Sequence, residues 1–417
     1  MPVPRSITHR LDVAPEVAEA IRAGRPVVAL ESTLISHGLP YPQNLEVAAA
    51  SEAAVRESGA VPATVAIRGG RLLIGLDEAA LSALATAPAG SVRKAARPSL
   101  ATALADGGWA ATTVSATMIA AHAAGIAVLA TGGIGGVHRG ALWTPGSALA
   151  PTLDISSDLE ELGRTPMAIV CAGPKAILDV PATLEYRETR GVPVVAVGQR
   201  DLPGFFARSA GIAAPASVAD VPAAAAIVAV HLGLGLESGI LVCTPVPEAD
   251  ALPADVARDA VERAVAEATD AGIAGPALTP WLLARIATLT QGASIRANTA
   301  LIVNDARIGG ALAAALTAVA SAVASDPAAV ASAVASDSAV ASAGPAAPCA
   351  SAGPAAPCGS TGPAALVAMC LPLNTQGPKV ASARPWTSSG VREPPIGDLE
   401  PPIRSIGAHH VSSTRQC

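Results

Sequence analysis

The 417-residue chain sets 27 Lys and Arg against 33 Asp and Glu, a net charge of −6. That length suits one large domain or two ordinary ones, and the mildly acidic balance argues against a polyanion-binding surface. Aromatic residues make up only 2%, so stacking on nucleobases is not its main binding device.

Any core must be built from Ala, Val, Leu and Ile. Cys171 and Cys243 fall in apolar, strand-like runs, whereas Cys349, Cys358, Cys370 and Cys417 lie in a low-complexity tail, with no CxxC pair. This usage predicts reduced thiols in a cytoplasmic protein. Neither a signal peptide nor a membrane span is expected. Ile308–Ser325 is mostly Ala and Ser and reads as a soluble helix entering a tail.

Taken in chain order, apolar or β-branched runs predict buried strands at Val27–Leu30, Thr64–Ile67, Ile126–Ala130, Met167–Ala172, Val192–Val197 and Ile240–Cys243. Helical patterns occupy Asn44–Ser58, Ser115–Ala124, Asp179–Thr189 and Ala254–Ala271. In the last, Val256, Ala260, Val261, Ala264, Val265 and Ala268 share one face. Asp259, Arg263 and Glu267 are expected to pair at i,i+4 on the other. Strands alternating with helices predict the α/β class: a layered α/β/α domain with a central, largely parallel sheet. From about residue 320, repeats replace periodicity: AVASD at Ala322 and Ala333, then SAGPAAPC at Ser342 and Ser351. A folded domain over 1–320 and a disordered Ala/Pro/Ser/Gly-rich tail over 321–417 are expected.

Ligands of such sheets sit at the carboxyl ends of strands, and there the unusual residues collect. Glu31-Ser32-Thr33 follows the first strand, Lys94 the Ser91–Val92 region, and Thr112–Thr117 the Trp109–Ala111 run. Glycines at 132, 133, 135 and 136, between Thr131 and His138, let a backbone approach a ligand closely and aim N–H groups at an anion. They match neither the dinucleotide fingerprint nor a P-loop. Lys175 follows a strand and Gly173-Pro174. It is expected in the first turn of a helix, where the dipole disfavours its charge and a neutral amine becomes available to a carbonyl. Asp154 and Asp158 are hard oxygen donors suited to Mg²⁺ or Mn²⁺, and Ser156 or Ser157 is placed to cap the helix that follows.

The strings ALEST, SHG, PYPQN, GAVPATVAI, ATTVSATM, ATGGIGGVHRG, DISSDL, VCAGPKAILD, LLARI and SIRANTALIVNDA occur in this order over roughly residues 6–316. Together they resemble the pseudouridine-5′-phosphate glycosidases. The resemblance implies an α/β/α, homotrimeric, Mn²⁺-dependent enzyme with one ion per subunit. Its reaction is reversible breakage of the C–C glycosidic bond of pseudouridine 5′-phosphate, giving uracil and ribose 5-phosphate. Position by position it implies Glu31 as proton donor and Lys175 as the amine that forms a Schiff base with C1′ of the ring-opened ribose. Lys94, Val114, Ser156, Ser157 and Asp158 match substrate-binding positions, and Asp154 matches the metal ligand. Thr131, His138 and Asn298 resemble further active-site positions.

Two features depart from the family pattern: extra residues from Leu142 to Pro151, and the tail, which has no kinase-like pattern. The substrate is therefore expected to come from a separate kinase. Alternatives are a Schiff-base lyase or aldolase acting on another phosphosugar, and a catalytically inactive phosphonucleotide-binding protein. Nucleic acid and membrane are not expected partners.

Overall fold

The computed structural model describes residues 7–142, 151–273, 275 and 278–325. Most of the expected insertion, 143–150, and the tail after Ser325 lie outside the described residues. The strands are β1 (Leu11–Val13), β2 (Val27–Leu30), β3 (Val61–Arg68), β4 (Arg71–Ile74), β5 (Arg93–Ala95), β6 (Ala110–Thr112), β7 (Val128–Ala130), β8 (Ala168–Cys171), β9 (Val194–Val197), β10 (Ala216–Val218) and β11 (Ile240–Cys243). The helices are α1 (Pro15–Arg22), α2 (Gln43–Glu57), α3 (Glu78–Ala85), α4 (Leu100–Asp106), α5 (Val114–Ala123), α6 (Ser157–Leu162), α7 (Val180–Thr189), α8 (Val221–Gly233), α9 (Ala254–Asp270), α10 (Leu278–Leu289) and α11 (Ala293–Ser325).

The sheet runs β1-β4-β3-β2-β7-β8-β11-β9-β10, with β6 joined to β3 and β5 to β6. Every pairing is parallel except those of β3 with β4 and β6. The first half of β3 pairs with β2 and the second half with β4 and β6. One long strand thereby joins the main parallel sheet to a smaller one. The candidate site lies where they meet.

Alternation within the strands builds two layers. Val28 and Leu30 join Val128, Val170, Val242, Ala306 and Leu312 on the α8 and α11 side. Val27 and Ala29 join Leu129, Ile169, Leu241 and Met118 on the α5 side. Both faces of these strands are buried, which explains why they read as continuous apolar runs. By length and composition Ala293–Ala322 is apolar enough to cross a membrane. Here it packs along α2 and α8 and over β2, β7 and β8, with Leu301, Ala306 and Leu312 buried. The helix continues to Ser325, past the expected boundary at 320.

Helix α9 buries Ala260, Val261, Ala264 and Ala268 of the expected face but not Val256. Ala257 is buried and Val256 is 46% exposed. Glu267 bonds Arg285 of α10 in place of the expected pairing within its own helix. An exposed intrahelical pair contributes only ~0.3–0.5 kcal/mol, so a guanidinium presented by a packed neighbour readily replaces it.

Arg187 of α7 is fully buried against this core. Its Nε donates to the Thr183 carbonyl at 3.3 Å, but neither Nη has a partner. Burial pulls the guanidinium down, opposed by the thiols of Cys243 and Cys171. Those cysteines sit opposite one another on β11 and β8. A buried cation whose two Nη groups lack acceptors is destabilising, so Arg187→Met is expected to raise the melting temperature, by the equivalent of about 1–4 kcal/mol. Thermal denaturation of the pure variant checks this. A lower melting temperature would show that the buried guanidinium is a net contributor to stability.

Candidate functional site

Four strand ends converge on one open cleft. Glu31 leaves β2, Lys94 lies in β5, Thr113 and Val114 follow β6, and Lys175 follows β8. Gly135, His138, Ser156, Ser157 and Asp158 line the same cleft, with Thr33, Ala96, Ile177, Leu178 and Thr279. About 660 Å³ of space, partly open to solvent, lies between these walls.

Half-buried Glu31 is tethered by the next residue but one. The Thr33 amide donates to its Oε2 at 2.7 Å, and the Thr33 hydroxyl donates to the same oxygen. Burial pushes the Glu31 carboxyl up, against the Thr33 bonds and the positive charges of Lys175 and Lys94. This is the environment of a carboxyl that holds its proton more tightly than a solvated one, as a general acid requires.

Lys94 reaches solvent through the mouth, but desolvation by the cleft walls, aided by the Lys175 charge, pulls its ammonium down. Lys175 is not in the first turn of a helix. The chain after β8 makes a turn in which the Lys175 amide donates to Ile134 and its carbonyl accepts from Leu178. Helix α7 starts only at Val180, capped by Asp179. The expected dipole argument therefore does not act on Lys175. Its place comes from loop pairing, with Ile134 bridged to Pro174 and His138 to Leu178.

The glycine run serves that pairing. A Cβ at Gly135 would stand 2.2 Å from Ser156 Oγ, and one at Gly133 would stand 2.5 Å from the Phe205 ring. Only glycine lets the loops after β7 and β8 and the turn before α6 pack this closely. The Gly135 amide donates to Asp158 Oδ2 at 3.0 Å, and the Ser115 amide to Asp158 Oδ1 at 3.0 Å. Asp158 is thus committed to holding the walls together, although it lines the cleft. Ser156 caps α6 through the Asp158 amide at 3.2 Å, and Ser157 Oγ lies 3.2 Å from Ser115 Oγ. The hydroxyls of Thr112 and Thr117 are buried in a chain that ends on the Val65 carbonyl. They do not face the cleft, and Thr113 alone of those threonines lines it.

Three expected residues stand outside the cleft lining. Thr131 is buried beneath it and shares a small hollow with Glu31, Ser51, Thr64 and Ile302. Asn298 lies half-buried in the second turn of α11. Asp154 sits beside the cleft, its Oδ2 3.9 Å from His138 Nδ1 and its side chain 44% exposed. Burial pulls the His138 imidazole down, partly offset by Asp154. Among the described residues no group of three or more His, Cys, Asp or Glu side chains could cage a metal. One exposed carboxylate beside a half-buried imidazole suits a divalent ion that keeps most of its water.

Sequence reasoning missed Thr279, which α10 brings in from far along the chain, and passed over Thr33, whose ordinary reading is a helix cap.

A family model described as indigoidine synthase A like protein matches residues 16–315. Over 304 residues the chain is 53% identical to a pseudouridine-5′-phosphate glycosidase of Paracoccus denitrificans (strain Pd 1222), covering 73% of this chain and 97% of the relative. It is 50% identical over 306 residues to that of Caldanaerobacter subterraneus subsp. tengcongensis, covering 73% and 96%. The crystal structure of the prealnumycin C-glycosynthase AlnA in complex with ribulose 5-phosphate superposes with a TM-score of 0.67 at 37% identity, covering 77% of this chain and all (100%) of that one. An indigoidine synthase A-like protein of Thermotoga maritima gives 0.62 at 32%, covering 70% and 94%. Matches of this extent, falling on a chain that assembles Glu31, Lys94 and Lys175 in one cleft, place this protein in the indigoidine synthase A-like family, among the pseudouridine-5′-phosphate glycosidases.

Proposed function

We propose that this chain reversibly cleaves the C–C glycosidic bond of pseudouridine 5′-phosphate, giving uracil and ribose 5-phosphate. The observation that carries the reading is the convergence of a carboxyl raised by burial with two lysines in one cleft. An ordinary glycosidase protonates a leaving oxygen or nitrogen. Here the leaving atom is C5 of uracil, and a carbon–carbon bond gives no such handle.

Lys175 supplies one. Its amine bonds to C1′ as the C1′–O4′ bond breaks, and O4′ takes a proton. The nitrogen lone pair then forms C1′=N as the C1′–C5 bond breaks, and Glu31 delivers a proton to C5. Water adds to the imine, releases the Lys175 amine and leaves ribose 5-phosphate. Lys94 sets a positive charge at the mouth for the 5′-phosphate, with Ser156, Ser157 and Thr113 offering hydroxyls. Val114, Ile177 and Leu178 give the uracil an apolar wall. Thr131 acts from behind the cleft through the hollow it shares with Glu31, and Asn298 remains the position matched by the resemblance alone.

Ultraviolet monitoring of purified protein with pseudouridine 5′-phosphate, with and without Mn²⁺, tests the reading. No release of uracil under either condition would sink it. The likeness to a C-glycosynthase in complex with ribulose 5-phosphate keeps a second reading in view, a Schiff-base lyase or aldolase on another phosphosugar. Turnover of such a phosphosugar without any uracil chemistry would favour it. An inactive binding protein is disfavoured because Glu31, Lys175 and Asp154 are all present and grouped around one cleft.

A Mn²⁺ ion, one per subunit, would be held by Asp154 with His138 beside it and would supply a fixed positive charge for substrate oxygens. Asp154→Ala is expected to abolish stimulation by Mn²⁺ while leaving the melting temperature of the metal-free protein unchanged. Wild-type turnover that survives exhaustive chelation would remove the metal role. The assembly implied by the resemblance is a homotrimer. Exposed Val230 and Leu234, one helical turn apart, suit burial against another copy. The buried free thiols Cys171 and Cys243 accord with a cytoplasmic location. The residues after Ser325 are read as a dispensable tail.

A further inference from the structure

Glu31 is the first residue after β2, and the two residues that follow divide the task of holding it. Ser32 is fully buried. Its Oγ donates to the Val65 carbonyl at 2.6 Å and accepts from the Thr112 amide at 2.9 Å. These bonds clamp the chain to β3 and β6 and commit the Ser32 hydroxyl. Thr33 heads the π-helical turn Leu34–Gly38, where a hydroxyl ordinarily caps free amides, yet it makes no cap. Its hydroxyl turns back to Glu31 Oε2, the oxygen that already accepts the Thr33 amide. In a neutral carboxyl the oxygen that accepts two donors is the carbonyl oxygen, so the proton resides on the other.

We propose that Thr33 is a positioning residue for proton transfer: by occupying Oε2 it leaves Oε1 as the oxygen that exchanges the proton with the leaving carbon. The proposal rests on the reading of Glu31 as proton donor. Two charged groups act on Glu31, Lys175 from the loop after β8 and Lys94 from β5, and both favour the carboxylate. The Thr33 bonds favour it too, against burial, which favours the acid. Removing the hydroxyl therefore shifts Glu31 toward its protonated form. Cleavage uses the protonated form, so the alkaline fall in kcat/KM moves to higher pH.

The test compares pH profiles of pseudouridine 5′-phosphate cleavage for wild type, Thr33→Val, Thr33→Ala and Thr33→Ser. Thr33→Val and Thr33→Ala are expected to lose about tenfold in kcat through a loosened carboxyl, with KM little changed and the alkaline limb displaced upward. Thr33→Ser restores both, since it keeps the hydroxyl. Profiles of Thr33→Val or Thr33→Ala that superimpose on wild type would overturn the proposal, as would a Thr33→Ser enzyme that behaves like Thr33→Ala. Glu31→Gln separates the two levels. If it is inactive while the threonine variants are normal, only the positioning role fails. If it is fully active, the Glu31 reading fails and the proposal with it.

Discussion

Lys175→Ala is expected to lose at least about 10³-fold in turnover and every trace of a reducible covalent intermediate. The argument turns on the carbon leaving group: without an amine bonded to C1′, no electron pair is placed to expel C5. Borohydride added while wild type turns over ribose 5-phosphate and uracil should reduce the imine and leave a sugar phosphate on Lys175, located by peptide mass analysis. Lys175→Arg should do no better than alanine, because a guanidinium stays protonated and forms no imine. Lys94 is the physical competitor, since the cleft walls and the Lys175 charge pull its ammonium down. Lys94→Ala should instead raise KM through lost phosphate binding, with the adduct still obtained at high substrate. An adduct mapped to Lys94, or substantial turnover by Lys175→Arg, would reverse the assignment of nucleophile while leaving the family intact.

Glu31→Gln should cost about 10²–10⁴-fold in kcat, the usual worth of a positioned acid or base. Its pH signature follows from burial, which raises the carboxyl above its ordinary range. In cleavage the protonated acid is the active form, so wild-type kcat/KM should fall as pH rises through the raised value. In synthesis the carboxylate must take the proton from C5, so that rate should rise over the same range.

Stability carries the same sign. A carboxyl raised in the folded state contributes stability that is complete below its unfolded value and declines as pH rises toward the folded one. Glu31→Gln removes that decline, so the variant, though much slower, should be more stable than wild type at neutral pH. Chemical denaturation at acidic and neutral pH measures it. A stability difference independent of pH would show that Glu31 ionises in the fold as readily as in the unfolded chain.

Much of the architecture was legible in the chain because it depends on local pattern. Strands buried on both faces must be apolar throughout, and β2, β8 and β11 lie within one or two residues of their apolar runs. The position of chemistry at strand ends follows from the parallel topology, so Glu31 and Lys175 stood out before any geometry, whereas Lys94 lies within β5. Their common cleft matches that expectation. The order of the motif strings carried the family, because it depends on the sequence alone.

Other features depend on which segments meet, and no local pattern encodes that. At the start of α9 the buried stripe takes Ala257 and leaves Val256 exposed, because which of two adjacent apolar residues is covered depends on the segments packed there. Lys175 was assigned to a helix on the evidence of the pattern that follows it. The turn that delays α7 to Val180 is held by bonds to Ile134 and Val137 from another loop. The glycine run looked like an anion cradle, but its Gly135 amide and its close contacts serve Asp158, Ser156 and Phe205.

By itself, then, the sequence determined the fold class and the residue types at the strand ends, which follow from periodicity and composition, and the family, which follows from the ordered motif strings. The tertiary structure alone decided which polar groups face the cleft and which are spent on holding its walls, because a hydroxyl or carboxylate serves either purpose until its neighbours are in place.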